Sequence, residues 1–340
     1  VKLNYIKDNF LKNMKILLIG DPHFKASKTS DTDIFVQKTW EYLQENTVDM
    51  IVVLGDIFDT HEKVHIKPII QVSKFIINFG EEYDMWFLVG NHDRPNNSIF
   101  LTEEHTLYPF KYGYSAHIVD VVQIYKDFIL VPYVEPGRFM EALATVNVGD
   151  KELRSGKYKA IFAHQEFRGA QMGGIISVAG DEWNKDYPPV YSGHIHQYQE
   201  MENGVTYVGT PYQMSYADTS KKGIYILEEK HTLERIDLGM KSKILKNVAI
   251  ENLLEYNFDE DIITKLIIEG NAKDIRDILK KKEYKNKLHG IEYTIRDIPP
   301  DLPRLTEPGE KKVNSIAKII EMLKEKTKDP IEKEILEELF

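Results

Sequence analysis

Five times in this chain a short apolar run halts at a small residue and is followed at once by a residue type that binds metal ions. "MKILLIG" (14–20) runs into Asp21 and His23, and "MIVVLG" (50–55) into Asp56. "MWFLVG" (85–90) leads to Asn91, His92 and Asp93; "KAIFAH" (159–164) ends on His164; "PVYSG" (189–193) precedes His194 and His196. Runs this short and this rich in β-formers are buried strands. Between the first three lie stretches of helical periodicity, with Phe35, Trp40 and Leu43 on one stripe and Ile69, Val72, Phe75 and Ile76 on the next. Strands alternating with helices predict a layered α/β domain. In such sheets functional groups gather beyond the carboxyl ends of the strands, which is where all five motifs fall.

Later runs, "VTYVGTP" (205–211) and "KGIYILEE" (222–229), are separated only by turn residues and predict more sheet without intervening helices. Near residue 240 the pattern changes. Residues 241–300 read as a short β/α module: "ITKLIIEG" as a strand, "AKDIRDILKKKEYKN" as one helix, and "GIEYTIRDI" as a second strand. A proline-rich linker follows at 299–310, then two helices with stripes Val313, Ile316, Ile319, Ile320, Leu323 and Ile331, Ile335, Leu336, Leu339. The expected division is therefore an extension over 1–13 ahead of Met14, a main domain over 14–240, a small α/β domain over 241–300, and a linker with terminal helices over 301–340.

The 340 residues are 42% apolar, enough for a packed core and a second domain. The chain has no cysteine, which excludes disulfides, thiolate metal sites and a cysteine nucleophile. A formal charge of −10 argues against a general nucleic-acid coat, though not against an enzyme that meets phosphates through bound cations. No apolar run reaches about 18 residues and no leader pattern is present, so a cytoplasmic protein without a membrane association is expected.

The residue types explain one another. A single Asp or His after a strand is usually only part of a turn. Five in succession, written GDxH, GDxxD, GNHD, AH and GHxH, supply a mixed nitrogen and oxygen donor set. Such donors suit Mn²⁺, Fe²⁺ or Zn²⁺ better than Mg²⁺ alone. Two divalent ions about 3.5–4 Å apart activate a water and clamp a phosphate for in-line displacement.

These motifs resemble, in type and order, the calcineurin-like metallophosphoesterase superfamily, a layered β-sandwich flanked by helices. The resemblance implies that Asp21, His23, Asp56 and His196 hold one metal, and that Asn91, His164 and His194 complete a second, with Asp56 bridging. His194 and His196 then serve different ions. It also implies that His92 is the general acid, oriented by Asp93 as an imidazole–carboxylate pair. The chain has "GDPHF", "GDIFDTH" and "GNHD" where phosphoprotein phosphatases carry GDxHG, GDxVDRG and GNHE. It is more similar to SbcD-type nuclease subunits of bacteria and phages, on "GDIFDT", on a first motif at the start of the domain, and on the Gly-Thr-Pro element of "VTYVGTPYQMSYADTSKKGIYIL" (205–227).

That narrower resemblance implies an Mn²⁺-dependent DNA nuclease of repair and recombination, exonucleolytic on duplex ends and endonucleolytic on single strands. It would be a homodimer in which residues 241–300 form a small α/β capping domain and whose C-terminal helices dock on the coiled coil of an SbcC-type ABC ATPase. The stretch 273–287 holds seven Lys or Arg against three acids, either a phosphate-contacting face or an ordinary solvated helix. Arg94 is either a phosphate contact or a surface arginine, and the loop at 168–174 either a substrate lip or a plain loop. The alternatives are a small-molecule or nucleotide phosphodiesterase, for which the basic stretch has no evident use, and a scaffold without activity, in which eroded ligands would be expected.

Overall fold

A computed structural model describes residues 14–61, 63–218, 220–228 and 231–298. The extension at 1–13, the linker and the two terminal helices lie outside the described residues. In chain order the strands begin β1 Ile16–Ile19, β2 Met50–Val53, β3 Met85–Leu88, β4 His117–Val119, β5 Gln123–Tyr125 and β6 Phe128–Val131. They continue β7 Ala160–His164, β8 Gln171–Met172, β9 Ile175–Ile176, β10 Val190–Gly193, β11 Gln199–Glu200 and β12 Val205–Tyr207. The last are β13 Ile224–Leu227, β14 Leu233–Ile236, β15 Ser242–Ala249, β16 Ile262–Gly270 and β17 Tyr293–Asp297. The helices are α1 Thr29–Glu45, α2 Ile66–Gly80, α3 Phe139–Ala144, α4 Asp150–Leu153, α5 Ala272–Ile278 and α6 Lys282–Lys287.

Two six-stranded sheets form the main body, in the orders β14-β13-β1-β2-β3-β4 and β11-β12-β10-β7-β6-β5. Both are mixed: β1 through β4 run parallel, whereas β13 joins β1 antiparallel from more than 200 residues away. Alternation along each strand explains the layers. Ile16 and Leu18 join Met50, Val52, Phe128, Leu130 and Phe162 in one cluster between the sheets. Leu17 and Ile19 face the other way, into a cluster with Phe35, Phe75, Ile76 and Phe79 of α1 and α2. The second sheet packs its outer face on Phe139, Ala142, Leu143 and Leu153 of α3 and α4. Helix, sheet, sheet, helix is the layered α/β architecture that the sequence predicts. Strands covered on both faces read as unbroken apolar runs for that reason.

One residue of the α2 stripe differs from expectation. Ile69 is 39% exposed, and Gln71 instead turns inward, its Nε2 donating to Thr29 carbonyl and Thr32 Oγ1 of α1.

The contacts divide the described chain into two compact units. The larger holds residues up to Lys246 together with Asn257–Lys265; the smaller holds Asn247–Tyr256 and the residues from Leu266 onward. Within the smaller unit β16 and β17 pair in parallel, as expected for a β/α module. The single helix expected over 272–286 is two helices. The first is capped by Asn271, whose Oδ1 accepts from the amides of Lys273 and Asp274. The second starts after Lys281 in extended conformation (ψ 143°). Ile275 and Leu288 are both buried, yet on one straight helix they would stand about 220° apart. The break turns both inward.

Candidate metal centre

The turns after β1, β2, β3, β7 and β10 converge at one end of the sheets, and their backbones are held in uncommon conformations. Asp21, His23, Asp56 and His194 have φ of 38°, 44°, 50° and 82°. Non-glycine residues tolerate such angles only where the surroundings over-determine them, which is characteristic of functional sites. The glycines of the motifs have a steric cause. A Cβ on Gly55 would lie 2.2 Å from His164 Nδ1, and one on Gly90 would lie 2.2 Å from the amide nitrogen of Asp56. The turns touch one another through those two positions.

All seven residues proposed as ligands come together. His23 Nε2 is 3.0 Å from His196 Nε2 and 3.8 Å from Asp56 Oδ2. Asp56 Oδ1 lies 3.3 Å from His164 Nε2, so its two oxygens face opposite groups. Asn91 Oδ1 is 2.9 Å from both His164 Nε2 and His194 Nδ1. Donor atoms of Asp21, His23 and His196 lie within 4.8 Å of one another, as do those of Asp21, Asp56 and His164. Asp21 belongs to both groups, a sharing the sequence reading gave to Asp56 alone.

The donor set fits divalent cations. Asp21 Oδ2 is buried and has no hydrogen-bond partner, and two imidazole Nε2 atoms face each other across 3.0 Å. Unpaired acceptors are costly in a protein interior unless a cation is their partner. Burial pushes His23 down to about 3 and His196 to about 4, so both present lone pairs at neutral pH. Burial also pushes Asp21 up to about 7. For Asp56 burial would act in the same direction, but the charge and hydrogen bond of His164 outweigh it and hold the carboxyl far below its usual range. His164 itself is raised to about 9 by Asp56 and then Asp21, against its burial. Its Nδ1–H donates to the Leu54 carbonyl at 2.6 Å, which fixes the ring and leaves Nε2 for a metal.

A pH dependence follows for the metal-free protein. His164 has a folded value of about 9 against 6.5 unfolded. Its contribution to stability is complete below 6.5 and is lost as pH rises through 9. Asp21 and Asp93, both raised to about 7, lose protons in the lower part of the same window and act in the same direction. The expected result is a melting temperature that declines from pH 6.5 to 9 without metal. With a saturating divalent cation such as Mn²⁺, which at Nε2 would take the place of the His164 proton, the decline is expected to disappear. A flat metal-free profile in differential scanning calorimetry would contradict these assignments.

The catalytic pair expected from the sequence is corrected. Asp93 does not pair with His92. Its buried carboxylate accepts from the backbone amides of Ile57 (3.2 Å), Phe58 (2.9 Å) and Gly90 (3.0 Å), which stitches the second motif to the third. His92 is oriented otherwise. Its Nδ1–H donates to the Asp59 carbonyl at 3.2 Å, its ring stacks on His61 at 4.6 Å, and His23 meets it edge-on at 5.2 Å. Arg94 is not a surface residue: it is 1% exposed and donates to the Tyr133 carbonyl.

Other contributors escaped the sequence reading. Glu166 Oε2 lies 3.9 Å from His194 Nε2 and accepts from Ser177 through its other oxygen. The Tyr212 hydroxyl donates to the Pro22 carbonyl at 2.7 Å, between Asp21 and His23. Lys222 Nζ and the Thr210 amide both donate to the carbonyl of His196. A residue that acts by gripping a backbone carbonyl leaves no spacing pattern to read. Among the described residues, no helix is long and apolar enough to cross a membrane.

The family model for calcineurin-like phosphoesterases matches residues 14–208. "Putative phosphoesterase 078R" of Invertebrate iridescent virus 3 is 36% identical over 286 residues, 81% of this chain and 82% of that protein. "Putative phosphoesterase 244L" of Invertebrate iridescent virus 6 is 38% identical over 221 residues, 64% of this chain and 77% of that protein. Among solved structures, a purple acid phosphatase from yellow lupin (Lupinus luteus) seeds aligns with a TM-score of 0.42 at 14% identity, over 64% of this chain and 49% of that one. On the family match and these relatives, the chain belongs to the calcineurin-like phosphoesterases and is a metal-dependent phosphoester hydrolase.

Proposed function

We propose that this phosphoesterase cleaves the phosphodiester backbone of DNA as an Mn²⁺-dependent nuclease subunit of repair or recombination, trimming duplex ends and cutting single strands with a coiled-coil ABC-type ATPase as partner. The observation that carries the reading is the place of the 205–227 element, one of the three features on which the likeness to SbcD-type nucleases rests. It is built into the centre: Tyr212 braces the turn of Asp21 and His23, while Thr210 and Lys222 brace His196. A carbonyl oxygen of the same element, that of Gly209, lies 2.2 Å from where a Cβ on Gly20 would stand. In the smaller unit Lys273, Arg276, Lys281, Lys282 and Lys285 are exposed, as a phosphate-contacting face requires. Exposed Ile66, Ile70 and Ile77 on one side of α2 are consistent with pairing of two copies, which sedimentation of the chain as a two-chain species checks.

Divalent ions, when bound, would supply a polarised phosphate and an activated water. Asp21, His23, Asp56 and His196 would hold one ion, and Asn91, His164 and His194, with Asp56, would hold the other. His92, half-exposed and anchored through Nδ1, gives its proton to the leaving oxygen. End-labelled linear duplex DNA incubated with protein and Mn²⁺, beside bis(p-nitrophenyl) phosphate, tests the reading. Shortening of the DNA that stops on chelation is the expected result. Hydrolysis of the small diester with the DNA untouched goes against DNA as substrate.

A further inference from the structure

The two ring nitrogens of His194 face different groups. Nδ1 lies 2.9 Å from Asn91 Oδ1, which is equally close to His164 Nε2, so three donor atoms stand together there. Nε2 is the nitrogen nearer Glu166, whose Oε2 lies 3.9 Å from it. The two side chains are only 18% and 17% exposed, so this contact is partly shielded from water at the edge of the centre.

Glu166 is held in place from its other side. Its Oε1 accepts from Ser177 Oγ at 2.6 Å, and its carbonyl accepts from the Asp181 amide at 2.9 Å. Ser177 is 3% exposed and pinned in turn. Its amide donates to the Ala170 carbonyl and its carbonyl accepts from the Gly169 amide, both at 2.8 Å, while its Oγ accepts from the Gly180 amide at 3.1 Å. Glycine is required at 180, where a Cβ would lie 2.5 Å from the carbonyl carbon of Phe167. The hairpin of β8 and β9 between these residues is tied to β11 by Gln199, whose side chain bonds both the amide and the carbonyl of Gln171 at 2.9 Å.

An imidazole that gives one nitrogen to a cation keeps its proton on the other, and the acceptor of that N–H sets the orientation of the ring. A carboxylate is a strong acceptor for it, and Oε2 is the oxygen that Ser177 leaves over. At 3.9 Å the pair is in ion-pair contact, and about 1 Å of movement brings it to an ordinary N–H···O length. We infer that Glu166 is a positioning residue for His194: its carboxylate takes the Nε2–H and so directs Nδ1 at the ion that Asn91, His164 and His194 would hold. The loop over 168–181 then serves the centre by fixing that carboxylate. This role rests on the ligand assignment above and is independent of DNA as the substrate.

Protein labelled with ¹⁵N at histidine and loaded with Zn²⁺, a diamagnetic ion that suits this donor set, reports the ring by nuclear magnetic resonance. The signals that His194→Asn removes identify it. In the wild type Nδ1 is expected on the ion and Nε2 protonated, with its exchange with water slowed. Glu166→Gln keeps the size and can still accept from Ser177, but its NH₂ then faces Nε2. It should speed that exchange and weaken Mn²⁺ at one site by roughly 10–100-fold in calorimetric titration, leaving any other site unchanged. Ser177→Ala, which loosens the carboxylate without removing its charge, should lose less. A merely structural Glu166 would lower the metal-free melting temperature and move neither affinity nor exchange, which overturns the role. Nε2 on the ion in the wild type overturns it as well, whatever the variants do, and leaves His194 a ligand. A His194 whose signals do not respond to Zn²⁺ overturns the ligand assignment and the role with it.

Discussion

Under the DNA-cleaving role proposed above, replacing His92 with Asn is expected to lower turnover of a DNA phosphodiester by roughly 10²–10⁴-fold, the usual worth of a positioned general acid, while leaving bound metal in place. The separation of the two effects comes from geometry. The contact between His92 and Asp56 is made by the backbone, the amide donating to Asp56 Oδ1 at 2.8 Å, so it survives the substitution. The imidazole itself is fixed by the Asp59 carbonyl and by the rings of His61 and His23. Asn fits that space without a transferable proton. The size of the loss should follow the leaving group. An alkoxide leaving from deoxyribose needs protonation, whereas p-nitrophenolate leaves unaided, so the bis(p-nitrophenyl) ester should lose far less. Steady-state kinetics on the two substrates, with metal content read by atomic emission, check the assignment. Equal losses on both substrates, or loss of metal, would remove His92 from the role of acid.

What could be read in the residues, and what could not, divides along a physical line. A ligand has to be a particular residue type at the end of a strand, and a strand buried on both faces has to be an apolar run. Asp21, Asp56, Asn91, His164 and His194 can therefore be picked out as candidates, and the fold brings them together. The second group of residues acts through backbone partners. Asp93 looks like the carboxylate of a histidine pair because it adjoins His92, but its oxygens are taken by three amides from two motifs. Tyr212 reaches Pro22 across 190 positions, and nothing in "PYQ" marks a hydroxyl aimed at a distant carbonyl. Sheet order is equally hidden, because β13 enters beside β1 only once the chain has turned back. The basic stretch at 273–287 looked like one helix since its lysines favour helix throughout. Its break is set by where Ile275 and Leu288 must be buried.

Asp56→Asn is expected to have the largest effect of all: affinity for divalent ions falls more than about 100-fold, beyond the 10–100-fold typical of outer-shell changes, and hydrolysis drops to the metal-free level. Asn has nearly the same shape and still accepts from the His92 amide. Two things go with the negative charge. The oxygen facing His23 becomes an NH₂ group, which turns a donor towards that imidazole. The field that retains the proton on His164 also disappears, since Asp56 contributes most to raising that histidine. The second loss gives the test its specificity. In the wild type at pH 8 metal uptake has to displace the His164 proton, so calorimetric titrations in buffers of different ionisation enthalpy should give different apparent heats. In Asp56→Asn the metal-free histidine is already largely neutral. The decline of melting temperature between pH 6.5 and 9 should then flatten without any metal present. A variant that merely misfolds would show a lower melting temperature at every pH and would not change the slope. Retention of two ions per chain by Asp56→Asn would mean that Asp21, which lies within reach of both donor groups, is the carboxylate that holds them together.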